Sequence, residues 1–238
     1  MAKRARARRA PRRWLLRLAA LAVLFGLAFA AWLWWDMREW RPDPALYPEQ
    51  GALIPAGTAP IRFETPKAIG ARFVYLPLTA GAGAEAPGGF ADRFAAARAA
   101  GLKVGVVLPF DPCRSADTQS GAFAQMVPRD PALLPPAIAL QSLAAPCEPK
   151  VSDAAVESEL MTLINQIELH AGRPVILKLS PGFEERHHTA AALARDLWLA
   201  RDRARPDYAG RPWLLWSANS ARVTEASEEP VEWVVVQK

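Results

Sequence analysis

From Leu18 to Trp35 the chain carries no charged residue, and the first 17 residues carry eight arginines and lysines and no acid. An uncharged run of that length cannot share a water-soluble core with the rest. About 20 apolar residues span the ~30 Å hydrocarbon layer of a bilayer, and Trp14 to Leu16 lengthen the run if Arg17 extends its head group to the surface. Trp32, Trp34 and Trp35 fall where an aromatic belt belongs. The segment therefore predicts one transmembrane helix over residues 14–35, behind a basic flank at residues 1–13. By the positive-inside rule, the N-terminus is cytoplasmic and the body of the chain lies across the membrane. A competing reading is a cleaved signal peptide ending at Ala28-Phe29-Ala30.

The charge then changes meaning. The whole chain is +5 and the first 17 residues supply +8, so the remainder is −3. The basicity belongs to the membrane flank, which argues against nucleic acid as a partner. Residues 36–49 contain Pro42, Pro44 and Pro48 and read as an extended linker. Residues 50–238 suffice for one domain with a sizeable core.

That domain alternates short apolar runs with helical segments. Strands are expected at Ala52–Ile54, Arg72–Leu76, Lys103–Leu108, Ala137–Leu140, Val175–Leu179, Leu197–Ala200, Trp213–Ser217 and Val231–Val236. Helices are expected at Phe90–Ala100, Asp117–Gln125, Ala154–Ala171 and Phe183–Leu193, with Ser152 or Asp153 as an N-cap and Gly101 as a stop. Ala80–Gly89 reads as a loop. About eight strands with interspersed helices predict an α/β barrel. An open doubly wound sheet is the alternative, but it usually carries a Gly-rich phosphate turn that is missing here.

The order of motifs resembles one family. Tyr47-Pro48, Gln50-Gly51, Ala71 to Tyr75, Ala95 to Gly105, Cys113-Arg114, Val127 to Asp130, Leu134 to Ala137, Gly210 to Trp213 and Pro230 to Glu232 follow each other as in family-25 glycoside hydrolases. These are the muramidase-type lysozymes that cut peptidoglycan. The resemblance implies an irregular TIM-like (β/α)5β3 barrel, and with the anchor read from residues 14–35 that barrel is expected in the periplasm, held to the inner membrane. It also strengthens the expectation of a disulfide between Cys113 and Cys147, two cysteines beyond the membrane in an oxidising compartment.

The departures fall on chemistry. Where the family carries an Asp-x-Glu pair this chain has Ala139 and Gln141, and where the first strand ends in Asp it has Leu53. Glycoside hydrolysis normally needs two carboxyl groups. Gln141 has no transferable proton. The expectation is a pseudoenzyme that binds peptidoglycan glycan or an envelope protein. The alternative is an active hydrolase using displaced acids, Asp111 and Glu232. A further option is a protein-interaction surface without affinity for sugar. Phe110, Gln141 and Trp216 are candidate binding residues. Ser180 and Ser217 lie in no nucleophile motif, Glu184 and Glu185 read as first-turn acids of a helix, and adjacent His187 and His188 point different ways on one. No metal or cofactor is expected.

Overall fold

A computed structural model describes residues 10–56, 60–78 and 90–237, with side chains from residue 14 onward. The basic flank before Ala10, Gly57 and Thr58, and the loop expected at Ala80–Gly89 lie outside the described residues. The chain forms two units, residues 1–40 and 41–238.

The first unit is helix α1, Ala10–Glu39. It is long and apolar enough to cross a membrane. Its apolar side chains are exposed, Phe25 at 75% and Trp32 at 59%. A helix apolar all round needs an apolar surrounding. It runs past Trp35 into the expected linker. The rest of that linker is not an extended spacer. Pro42 and Tyr47 are buried, and the Gln50 side-chain amide donates to the carbonyls of both, at 3.0 and 2.9 Å. Arg205 Nε donates to the Tyr47 hydroxyl at 2.7 Å. Residues 41–49 thus pack with the second unit, because the buried Gln50 amide needs those carbonyls as acceptors.

The second unit is a closed barrel in sequence order: β1 Gln50–Leu53, β2 Ala71–Pro77, β3 Lys103–Pro109, β4 Ala137–Leu140, β5 Ile176–Leu179, β6 Asp196–Ala200, β7 Leu215–Arg222 and β8 Val231–Val236. Strands β1 to β7 run parallel, and β8 is antiparallel to both β7 and β1. Helices α2 Glu64–Ala68, α3 Phe90–Ala99, α4 Ala116–Met126, α5 Asp153–Ala171, α6 Pro181–His187 and α7 Thr189–Ala192 fall within the first five crossovers. Three strands without helices complete the ring, the (β/α)5β3 arrangement, so the open-sheet alternative falls away.

Local chemistry sets the boundaries. Ser115, Ser152 and Ser180 each accept from a backbone N–H three residues on, capping α4, α5 and α6. Gly172, in the left-handed region at φ 68°, ends α5. His188 takes the same region at φ 48°. That break divides the helix expected over Phe183–Leu193 into α6 and α7. The five-residue α2 is too short to leave a periodic signature.

The barrel lumen is filled by Phe73, Tyr75, Val107, Ala137, Ala139, Ile176, Trp198, Leu215 and Val234. It is a packed core, not a pore. On the flank, Cys113 and Cys147 are joined with Cα atoms 5.2 Å apart. The bridge ties the loop after β3 to the loop after β4 across 34 residues of sequence. In a chain-entropy account a closed loop of that length is worth about 3–4 kcal/mol. The Cys113→Ser/Cys147→Ser double variant is expected to lose about that much, read as a lower midpoint in chemical denaturation. An unchanged midpoint contradicts it.

Candidate functional site

Parallel strands of a closed barrel end on one pole, where their loops gather. Here that mouth is built from the C-terminal ends of β1 to β7 and the N-terminal end of β8. A cavity of about 220 Å³ opens there, lined by Leu53 to Ala56, Pro77, Ser220, Pro230 and Glu232. Leu53 and Glu232 are cross-strand partners on β1 and β8.

Glu232 is the acid of this cavity, and both its oxygens are engaged. Lys178 Nζ donates to Oε2 at 2.7 Å, and Ser217 Oγ donates to Oε1. Trp198 Nε1 donates in turn to Ser217 Oγ at 2.6 Å. The Lys178 ammonium also lies 4.9 Å from the centre of the Trp198 ring, within cation–π range. The Lys178 side chain is 5% exposed and that of Glu232 17%. A buried ammonium persists only when paired and hydrogen-bonded, and β5, β6, β7 and β8 each supply one member of the network that does this.

Ala139 sits on β4 beside Lys178 on β5 in register, with Pro109 of β3 on its other side. Ala139 belongs to the buried cluster that fills the lumen. Deeper in, the Tyr75 ring packs at a tilt against Trp198 with ring centres 4.9 Å apart and donates its hydroxyl to Pro135 O at 3.1 Å. Burial pushes the Tyr75 phenol far above its ordinary pKa, with a smaller opposing pull from Arg173. The phenol is therefore a structural donor, not an acid–base group.

The other candidates scatter. Gln141 is exposed, just beyond the end of β4. The Asp111 carboxylate accepts from Cys113 N at 2.9 Å, while Gln119 bonds to the Asp111 backbone on both sides. That acid shapes the loop of the disulfide, and none of these contacts joins it to Glu232. Glu184 is buried and accepts from Ala190 N at 2.9 Å, bracing the α6–α7 break. His187 is buried against Phe183, ring centres 4.5 Å apart, and His188 forms the turn. Among the described residues no three His, Cys, Asp or Glu side chains cluster as a metal site would require.

Two expectations need correction. Phe110 is 1% exposed and packs edge-on against Phe183, so it offers no face to a sugar. Trp216 is 3% exposed, donates Nε1 to Arg201 O at 2.8 Å, and lies between Tyr47 and Trp213. Both rings are packed in the core, Phe110 against α6 and Trp216 among Tyr47, Trp213 and Arg201. Conversely, the sequence reading missed Lys178. Its signal was present: one charge inside the otherwise apolar run Val175–Leu179.

Comparison with known proteins agrees with this architecture. A family 25 glycosyl hydrolase from Bacillus anthracis superimposes with a TM-score of 0.73 at 20% identity, covering 84% of this chain and 93% of that one. A bacterial lysozyme from Streptomyces coelicolor gives 0.67 at 16% identity, covering 80% and 92%. The spore cortex lytic enzyme SleM from Clostridium perfringens gives 0.66 at 15% identity, covering 82% and 69%. No curated protein matches the sequence. At these identities the structural neighbours speak for the fold alone. The sequence model described as glycosyl hydrolases family 25 matches residues 57–224, most of the barrel and more than half of the chain. With the (β/α)5β3 ring around it, that match makes this chain a member of glycosyl hydrolases family 25.

Proposed function

We propose that this chain is a non-catalytic family-25 domain that binds peptidoglycan glycan, anchored in the inner membrane by residues 14–35 with its barrel in the periplasm. The observation that carries the reading is the Lys178–Glu232 pair at 2.7 Å in the mouth. A glycosidase needs one carboxyl group to protonate the leaving oxygen and a second to support the oxocarbenium-like centre. Here the cavity offers one carboxylate, and an ammonium and a hydroxyl already occupy its oxygens. Leu53, Ala139 and Gln141 stand at the remaining family positions and supply no acid. General acid–base catalysis contributes roughly 10²–10⁴-fold per group, so losing both groups removes useful turnover.

The anchor rests on α1, whose apolar surface is exposed along its length. The orientation rests on the positive-inside rule applied to the basic flank. Domain limits follow: anchor at 14–35, continuing as helix to Glu39, and a barrel unit that already begins at Arg41.

The test is a digest of purified peptidoglycan with the full chain, alongside a pull-down on insoluble sacculi. The expected outcome is retention on sacculi with no released muropeptides. Released muropeptides overturn the inert reading and return attention to Asp111 and Glu232. Failure to sediment with sacculi overturns glycan binding and favours a protein partner.

A further inference from the structure

We infer that the pole of the barrel opposite the mouth is a second ligand site, which takes a small aliphatic carboxylate. A cavity of about 160 Å³ enters the lumen there, between the N-terminal ends of the parallel strands. Its wall is apolar: Phe73, Tyr75, Ile176 and Leu215 from the barrel core, with the partly buried Leu134, Leu214 and Val236. Its rim is charged. Arg72 at the start of β2 and Lys103 at the start of β3 flank the opening, and Glu49 is the one acid on it.

Size, wall and rim together define the ligand. An apolar cavity of about 150 Å³ holds a molecule the size of benzene, so a hydrocarbon body of about six carbons fits here. Water inside such a wall gains few hydrogen bonds, and an alkyl group that displaces it gains apolar burial. Arg72 and Lys103 are exposed, and neither side chain takes part in a hydrogen bond or ion pair with any described residue. Two free cations against one carboxylate favour an anionic head over a cationic one. The site is distinct from the mouth, since neither Glu232 nor Lys178 lines it. It does not depend on whether the mouth binds glycan.

The experiment titrates hexanoate into the full chain, reconstituted in zwitterionic nanodiscs, and follows the Ile176 methyl signals by NMR. A saturable shift is expected. Hexylammonium, of the same length and opposite charge, is expected to produce none over the same range. The Arg72→Glu/Lys103→Glu variant changes two exposed side chains and should weaken hexanoate about three- to tenfold. Leu134→Phe fills the cavity from its partly buried edge and should abolish the shift while leaving the melting temperature unchanged or higher. Absence of a saturable shift in the unaltered chain overturns the inference. So does an equal response to hexylammonium, or a Leu134→Phe variant that still binds.

Discussion

Lys178→Met is expected to destabilise the barrel by about 3 kcal/mol, and the double variant Lys178→Met/Glu232→Leu to recover most of that loss. Removing one partner of a buried pair leaves the other charge without compensation, which typically costs about 3–5 kcal/mol. The lower end applies because Glu232 keeps 17% of its side chain exposed and can draw on water. Replacing both partners with apolar groups of similar length is often neutral or stabilising. The pair therefore contributes little net stability, and its presence has to be explained by what it excludes. It ties one oxygen of the mouth carboxylate to Lys178 while Ser217 takes the other. Chemical denaturation of the single and double variants measures both effects. A single variant as stable as the parent means that Glu232 is solvated and the network is not the structural unit described here.

That network also explains why the barrel was easier to read in the sequence than its mouth. Strands buried on both faces appear as short apolar runs, most of them bounded by Gly or Pro here, and all eight were visible as apolar runs. The exception was the far half of β7. Asn219 to Arg222 look like a turn, but they pair irregularly with β8 up to Val231. Backbone pairing extends a strand there that its side chains do not announce. Side-chain direction is the other blind spot. Phe110 and Trp216 sit where groove aromatics would, yet their rings turn into the core. Sequence spacing gives the position along a strand but not which neighbours close over a ring. The family was legible because the motifs around Leu53, Ala139 and Gln141 keep their order. That Lys178 lies beside Ala139 required the register of β4 against β5.

Gly105→Ala is expected to destabilise the barrel by at least about 3 kcal/mol, from overpacking plus the contacts that the displaced ring gives up. A Cβ placed on Gly105 lands on the Tyr75 ring, its cross-strand neighbour on β2. The ring cannot swing away cheaply. Its hydroxyl is held by Pro135 O and its face by Trp198, which in turn donates to Ser217. One methyl group at the base of the lumen therefore pushes on the same chain of contacts that holds Glu232 at the mouth. Adding Tyr75→Leu to Gly105→Ala removes the clashing ring and should restore part of the stability, so the two substitutions are non-additive. Additive losses in that double-mutant cycle would mean that the glycine acts through its backbone and not through the tyrosine. Gly51 makes a useful contrast. A Cβ there meets the Phe73 carbonyl oxygen as well as its ring, so no change to the Phe73 side chain can fully relieve it. The rescue expected at Gly105 and the lack of rescue expected at Gly51 separate side-chain crowding from backbone approach within one barrel.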